Sequence, residues 1–169
     1  ATGCSTCDAG RFSDIEAVFT TESDSIFCSP CAKGKWNDQK GRTKESECLN
    51  CNTGRYSAMI ASNSITNCVE CSKGTYLEVV GADEESDCLT CPKGFAQAKA
   101  GAAYCLPCTP GKHQHLKGKK TCSACQIGRS TNITGNDQNE CVLCAVGRKT
   151  SRVGSAECQN CGAGRYGDS

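Results

Sequence analysis

The sequence is poor in the side chains that fill a protein interior. One Trp, one Met, four Phe and four Tyr are spread over 169 residues, and aromatics make up 5 % of the chain. A chain of this length ordinarily buries a substantial apolar core, and this composition cannot build one. No apolar run approaches the roughly 20 residues of a membrane span, and no signal-peptide pattern opens the chain. Histidine is nearly absent, with two residues, and catalysis by acid–base or nucleophilic chemistry has no candidate group. Net charge is +1, with both signs mixed along the chain, so neither nucleic acid nor an anionic membrane is expected as a partner. Without cross-links or a metal, so polar a chain is expected to be disordered.

Cysteine is what the sequence has in abundance, 18 of 169 residues. That level marks a disulfide scaffold and an oxidising, extracellular setting. The cysteines fall into nine Cys-x-x-Cys pairs: Cys4/Cys7, Cys28/Cys31, Cys48/Cys51, Cys68/Cys71, Cys88/Cys91, Cys105/Cys108, Cys122/Cys125, Cys141/Cys144 and Cys158/Cys161. Three residues after each pair stands a glycine, from Gly10 and Gly34 through to Gly147 and Gly164. Such periodicity is the signature of a repeat protein. The units run approximately 4–27, 28–47, 48–67, 68–87, 88–104, 105–121, 122–140 and 141–157, with 158–169 partial. The chain opens at Ala1 rather than Met and stops within a unit, so it is read as a window of a longer repeat protein.

Each interval between pairs has room for two short strands and a turn, but not for a packed helix. Gly74-Thr-Tyr-Leu-Glu-Val-Val80 reads as a strand, followed by turn material at Gly81-Ala-Asp83. The glycine of each unit suggests positive φ or the close approach of another strand. The expected fold is small disulfide-rich β: an elongated tandem array of short β-hairpin modules with little hydrophobic core and essentially no helix. In such an array each unit touches mainly its neighbours.

Sequence alone leaves the cysteine pairing open. One scheme joins the second cysteine of each pair to the first of the next: Cys7–Cys28, Cys31–Cys48, Cys51–Cys68, Cys71–Cys88, Cys91–Cys105, Cys108–Cys122, Cys125–Cys141 and Cys144–Cys158. Cys4 and Cys161 are then unpaired within the window. The rival joins Cys-x-x-Cys pairs two by two, which nine pairs do not divide into evenly. Closing a loop of about 15 residues contributes roughly 3 kcal/mol in the chain-entropy model.

Cys48-Leu-Asn-Cys51-Asn-Thr-Gly54-Arg-Tyr56-Ser57 and Cys68-Val-Glu-Cys71-Ser-Lys-Gly74-Thr-Tyr76 resemble the ephrin-receptor-like cysteine-rich repeat. They are also similar to the simplest module of tumour-necrosis-factor-receptor cysteine-rich domains. The resemblance implies an elongated extracellular rod of β-hairpin modules, the loop-closing pairing, and no catalytic residue. The sequence departs from the family in two ways. Proline follows the second cysteine only at Pro92, and the aromatic two residues after the glycine (Phe12, Trp36, Tyr56, Tyr76) gives way to Ala96, His113, Ser130 and Lys149 before Tyr166.

Four-cysteine zinc sites are the chief chemical rival, since Cys31/Cys48, Cys51/Cys68 and Cys71/Cys88 have suitable spacing. They consume two pairs each and leave a remainder, so no metal and no cofactor is expected. A thioredoxin-like redox role lacks its helix. His113 and His115 read as exposed strand residues. A basic residue follows the glycine at Arg11, Lys35, Arg55, Lys112, Arg129, Arg148 and Arg165, and acids precede the next pair at Glu47, Asp87, Glu140 and Glu157. These read as cross-strand charge pairs on solvated strands, or as a ladder that registers laterally packed chains. Asn132-Ile-Thr134 is an N-glycosylation sequon. The expected function is structural: an extracellular rod, stalk or fibre that associates with itself or with neighbouring repeats. The alternative is the ligand-binding ectodomain of a cell-surface receptor or adhesion protein, which would show clustered aromatic and Arg anchors.

Overall fold

The computed structural model describes residues 6–14 and 28–165. Cys4 and Tyr166 lie outside the described residues. The chain separates into two compact parts, Ala1–Cys71 with Leu77–Cys88, and Ser72–Tyr76 with Leu89–Ser169.

Among the described residues sixteen two-residue strands form eight antiparallel hairpins. In the first part β1 (Arg11–Phe12) pairs with β2 (Ser29–Pro30), β3 (Lys35–Trp36) with β4 (Leu49–Asn50), and β5 (Arg55–Tyr56) with β6 (Val69–Glu70). In the second, β7 (Thr75–Tyr76) pairs with β8 (Leu89–Thr90), and β9 (Phe95–Ala96) with β10 (Leu106–Pro107). There too β11 (Lys112–His113) pairs with β12 (Ser123–Ala124), β13 (Arg129–Ser130) with β14 (Val142–Leu143), and β15 (Arg148–Lys149) with β16 (Gln159–Asn160). The fold is therefore a small disulfide-rich β array of tandem hairpins, with no α-helix among the described residues.

The register explains the Cys-x-x-Cys spacing. The two residues after each glycine form the outgoing strand, and the two between the next pair of cysteines form the return strand. The first cysteine of a pair thus closes one loop and the second opens the next. The bonds are Cys7–Cys28, Cys31–Cys48, Cys51–Cys68, Cys71–Cys88, Cys91–Cys105, Cys108–Cys122, Cys125–Cys141 and Cys144–Cys158, with Cα–Cα separations of 5.6–5.7 Å. We call these closed loops modules 1 to 8.

Strands are shorter than the sequence suggests. The stretch from Gly74 to Val80 is extended only at Thr75–Tyr76, and Val79 and Val80 lie exposed in a bend. The chain leaves the hairpin because the third residue after each glycine is committed elsewhere. In modules 2 to 7 its carbonyl accepts the glycine amide of the preceding module, and in module 8 Thr150 Oγ1 accepts the Gly128 amide instead. Gly10, Gly34 and Gly54 donate to Asn37, Ser57 and Leu77 at 2.7, 2.8 and 2.9 Å. In the second part Gly74, Gly94 and Gly111 donate to Gln97, Gln114 and Thr131 at 2.8, 2.7 and 2.7 Å. The bonds between modules are therefore made by backbone groups, whose satisfaction does not depend on apolar side chains.

Apolar packing is confined to small patches. Cys71, Leu77 and Ala82 form a buried cluster flanked by Tyr56 and Cys88. Elsewhere the interior is mostly sulfur plus the column at the third position after glycine. Asn37, Ser57, Gln97, Gln114, Thr131 and Thr150 are all buried there. The side chains of Ser57, Gln97, Gln114 and Thr131 bind the loop that follows, as burial favours, while Thr150 Oγ1 accepts from Gly128 N of the preceding module at 2.7 Å. Gln97 Oε1 accepts from Lys99 N at 3.0 Å and its Nε2 donates to Tyr104 O at 2.8 Å. Gln114 repeats the arrangement with Leu116 N and Thr121 O.

Module lengths fall into a pattern with a physical meaning. Modules 2, 3 and 4 have sequence separations of 17 between bonded cysteines, and modules 5, 6 and 8 have 14. The three extra residues are a 3₁₀ turn just before the closing cysteine: Glu45–Glu47, Ile65–Asn67 and Glu85–Asp87. In modules 5 and 6 the turn is missing, and the Gln97 or Gln114 amide reaches the carbonyl preceding the cysteine instead.

Contacts also reach past the nearest neighbour, in addition to the bonds between adjacent units. A Cβ placed on Gly34 of module 2 would overlap the Gly81 carbonyl of module 4, lying 2.7 Å from its carbon. Gly10 faces Ala61 in the same way, Gly94 faces Gly135 and Gly111 faces Gly154. Gly34 thus has both of the anticipated roles, since it also sits at φ +74°, whereas Gly128 has positive φ without the close approach.

Candidate functional site

The residues singled out from the sequence are mainly structural, and the cysteines come first. The sixteen from Cys7 to Cys158 are joined in modules, so the spacings that resembled zinc sites bring together sulfurs already bonded to each other. Cys161 is a free, half-buried thiol, and Cys4 lies outside the described residues. Among the described residues no group of His, Cys, Asp and Glu is arranged to hold a metal ion. His113 sits at the end of β11 with Nδ1 3.1 Å from the Gln138 carbonyl, and His115 lies past the strand. Asn132 of the sequon is exposed, just before the Thr134–Gly135 turn.

The basic residue after each glycine has a definite use in three modules. The Nη1 of Arg11, Arg55 and Arg129 donates to the carbonyl of the closing cysteine, Cys28, Cys68 and Cys141, at 2.9 Å each. Guanidinium has several fixed donors, so the same side chain also reaches an acid. Arg55 Nη2 pairs with Glu70 at 2.5 Å, directly across the hairpin, and Arg129 with Glu140 at 2.7 Å. Lys35 bonds Glu45 at 3.2 Å and Arg148 Nε bonds Asn160 Oδ1 at 3.1 Å. In these modules the cations are engaged within their own hairpins and are not an unpaired ladder.

The acids before the pairs behave differently from one another. Glu140 makes the expected ion pair, whereas Glu47 and Asp87 turn back onto backbone amides. Glu47 Oε2 accepts from Thr43 N at 2.8 Å and Lys44 N at 3.0 Å, and Oε1 from Arg42 Nη1 at 2.9 Å. Those two amides, ahead of Arg42, hold its carboxyl below the ordinary glutamate range. Asp87 caps its 3₁₀ turn through Asp83 N and Glu84 N. Asp8 is lowered by a hydrogen bond from Lys40, 2.9 Å away on the next module, and by that lysine's charge.

Two sets of residues escaped the sequence reading. One is the buried column of Asn37, Ser57, Leu77, Gln97, Gln114, Thr131 and Thr150, whose mixed chemistry hides its common burial. The other is a second glycine seven residues after the first: Gly41, Gly81, Gly101, Gly118, Gly135 and Gly154, all with positive φ. The amides of Gly41, Gly81, Gly118, Gly135 and Gly154 bind back to the opening cysteine of the preceding module, as Gly81 N does to Cys51 O and Gly118 N to Cys91 O, both at 2.8 Å. A count of glycine spacings finds this position. Ala61 occupies it in module 3 with φ 54°, as the one non-glycine residue with positive φ among those described.

Residues 60–104 match a family model described as tyrosine-protein kinase ephrin type A/B receptor-like. The matched stretch covers Cys68, Cys71, Cys88 and Cys91 with their glycines Gly74 and Gly94. That family is a receptor-like, disulfide-rich repeat and not an enzyme family. No curated protein matches the chain.

Proposed function

We propose that the chain is a segment of an extracellular structural protein, a disulfide-stapled spacer of stalk or fibre type that acts by holding its shape. The observation that carries this reading is the repeated backbone bonding between modules. The amides of Gly10, Gly34, Gly54, Gly74, Gly94 and Gly111 are tied to the next module, and the loop amides of Gly41, Ala61, Gly81, Gly118, Gly135 and Gly154 are tied back to the one before. Eight intramodular disulfides limit how far any single module can extend. Uniform repetition also supports a spacer, because length then follows copy number. The same reading places the chain outside the cell and gives Asn132 an N-glycan on its exposed turn.

Self-association with further copies or neighbouring repeats belongs to this proposal. Single-molecule extension tests it. The oxidised chain is expected to yield only the short lengths that disulfides leave free, and the reduced chain to extend at low force. Equal extension in both states contradicts the proposed spacer role.

A second reading, a ligand-binding receptor ectodomain, is favoured by the description of the family matching residues 60–104. It requires a soluble protein ligand whose binding is lost on substitution of exposed residues in one or two modules.

A further inference from the structure

Charge is less evenly spread than the net value of +1 suggests. From Cys88 to Asn136 there is not one Asp or Glu, while Lys93, Lys99, Lys112, Lys117, Lys119 and Lys120 all fall in this stretch. All six are exposed and belong to modules 5 and 6. None of them is ion-paired or hydrogen-bonded through its ammonium among the described residues, whereas Lys35, Lys40 and Arg42 of module 2 each hold an acid.

The fold gathers these lysines from separate places in the sequence. Gly118 N donates to Cys91 O at 2.8 Å and Gln97 N to Lys119 O at 3.1 Å, laying the 117–120 loop against the segment bearing Lys93 and Lys99. Gly94 N bonds Gln114 O at 2.7 Å and brings the Lys112 strand to the same pair of modules. Like charges crowded this way repel, and nothing inside the two modules offsets them.

We propose that modules 5 and 6 form a binding surface for an extracellular acidic polysaccharide. The lysines are exposed point charges on flexible stems and do not converge on a pocket, so the surface reads charge density along a polymer rather than the shape of a small ligand. The proposal stands on this cluster alone and does not depend on the spacer reading.

The test is retention of the oxidised chain on immobilised heparin, a sulfated probe, and on immobilised hyaluronan, which carries carboxylates only. Salt elution compares the native chain with Lys112→Gln/Lys117→Gln/Lys119→Gln/Lys120→Gln and with the control Lys33→Gln/Lys40→Gln/Lys44→Gln. Retention at physiological ionic strength is expected for the native chain and the control. The fourfold variant should bind about tenfold or more weakly, with its slope of log affinity against log salt cut to roughly a third. Binding to heparin alone assigns sulfate, and binding to both assigns carboxylate as sufficient. Absence of retention, or equal loss in variant and control, overturns the proposal. So does salt-sensitive dimerisation that needs Glu84 and Glu85 without polysaccharide binding, which assigns the surface to a second copy of the chain.

Discussion

Replacing Gly34 with Ala, set beside the same change at Gly128, isolates the contact between modules two apart. Both glycines have left-handed backbones, with φ +74° and +81°. An L-residue there costs about 1–2 kcal/mol, of which about 0.4–1 kcal/mol is returned by a less flexible unfolded chain. Strain alone therefore predicts roughly 1 kcal/mol at either site. Their surroundings differ. A Cβ on Gly128 meets nothing within 4 Å, whereas on Gly34 it overlaps the Gly81 carbonyl and lies 3.0 Å from the Ala82 oxygen. These are backbone atoms, so relief requires moving the module 4 loop, at an overpacking cost of about 1–3 kcal/mol more. The readout is amide exchange at Gly81, whose N–H is held by Cys51 O at 2.8 Å. In Gly34→Ala it should exchange faster by an additional factor of about 5–150. In Gly128→Ala, where no backbone faces the added Cβ, the nearby Gly154 amide, whose loop is faced by Gly111 instead, should be unaffected beyond the strain. Equal effects in the two variants would refute the idea that modules touch their second neighbours.

Other perturbations probe the rest of the account. Ala61→Gly removes the left-handed strain at the second glycine position and is expected to stabilise by up to about 1 kcal/mol in thermal denaturation; a loss of stability contradicts it. Gln114→Ala leaves the Thr121 carbonyl and the Leu116 amide without partners and should cost about 1–3 kcal/mol by the same assay. Glu47 should titrate below the ordinary glutamate value when followed by NMR, held down by the Thr43 and Lys44 amides. Because its folded value is depressed, the stability it contributes is present above the unfolded value and fades as pH falls through the folded one. A midpoint at or above the ordinary glutamate value contradicts the amide contacts.

The fold class was legible because its determinants are local and periodic. Nine glycines at a fixed offset and intervals too short for a packed helix leave the chain little but hairpins. The strand at Gly74–Val80 was read too long, because Thr, Tyr, Leu and Val satisfy strand propensity whether or not the backbone keeps a partner. At Leu77 the carbonyl turns to Gly54 of the preceding module, and no local pattern announces that bond. The buried column was hidden for a similar reason. Asn37, Ser57, Leu77 and Gln114 share a position rather than a polarity, and polar residues are ordinarily taken as exposed. The three-residue difference between long and short modules was visible as spacing. Its meaning, a 3₁₀ turn replaced by a glutamine side chain, needed the hydrogen bonds.

The central claim is that sulfur cross-links and backbone bonds between modules, not an apolar core, keep this chain ordered. Amide exchange at Gly34, Gly81, Gly94 and Gly118, measured in the oxidised chain and again after reduction without denaturant, tests it most directly. The account predicts slow exchange at all four when oxidised and near-complete loss of protection when reduced. Protection that survives reduction would contradict it.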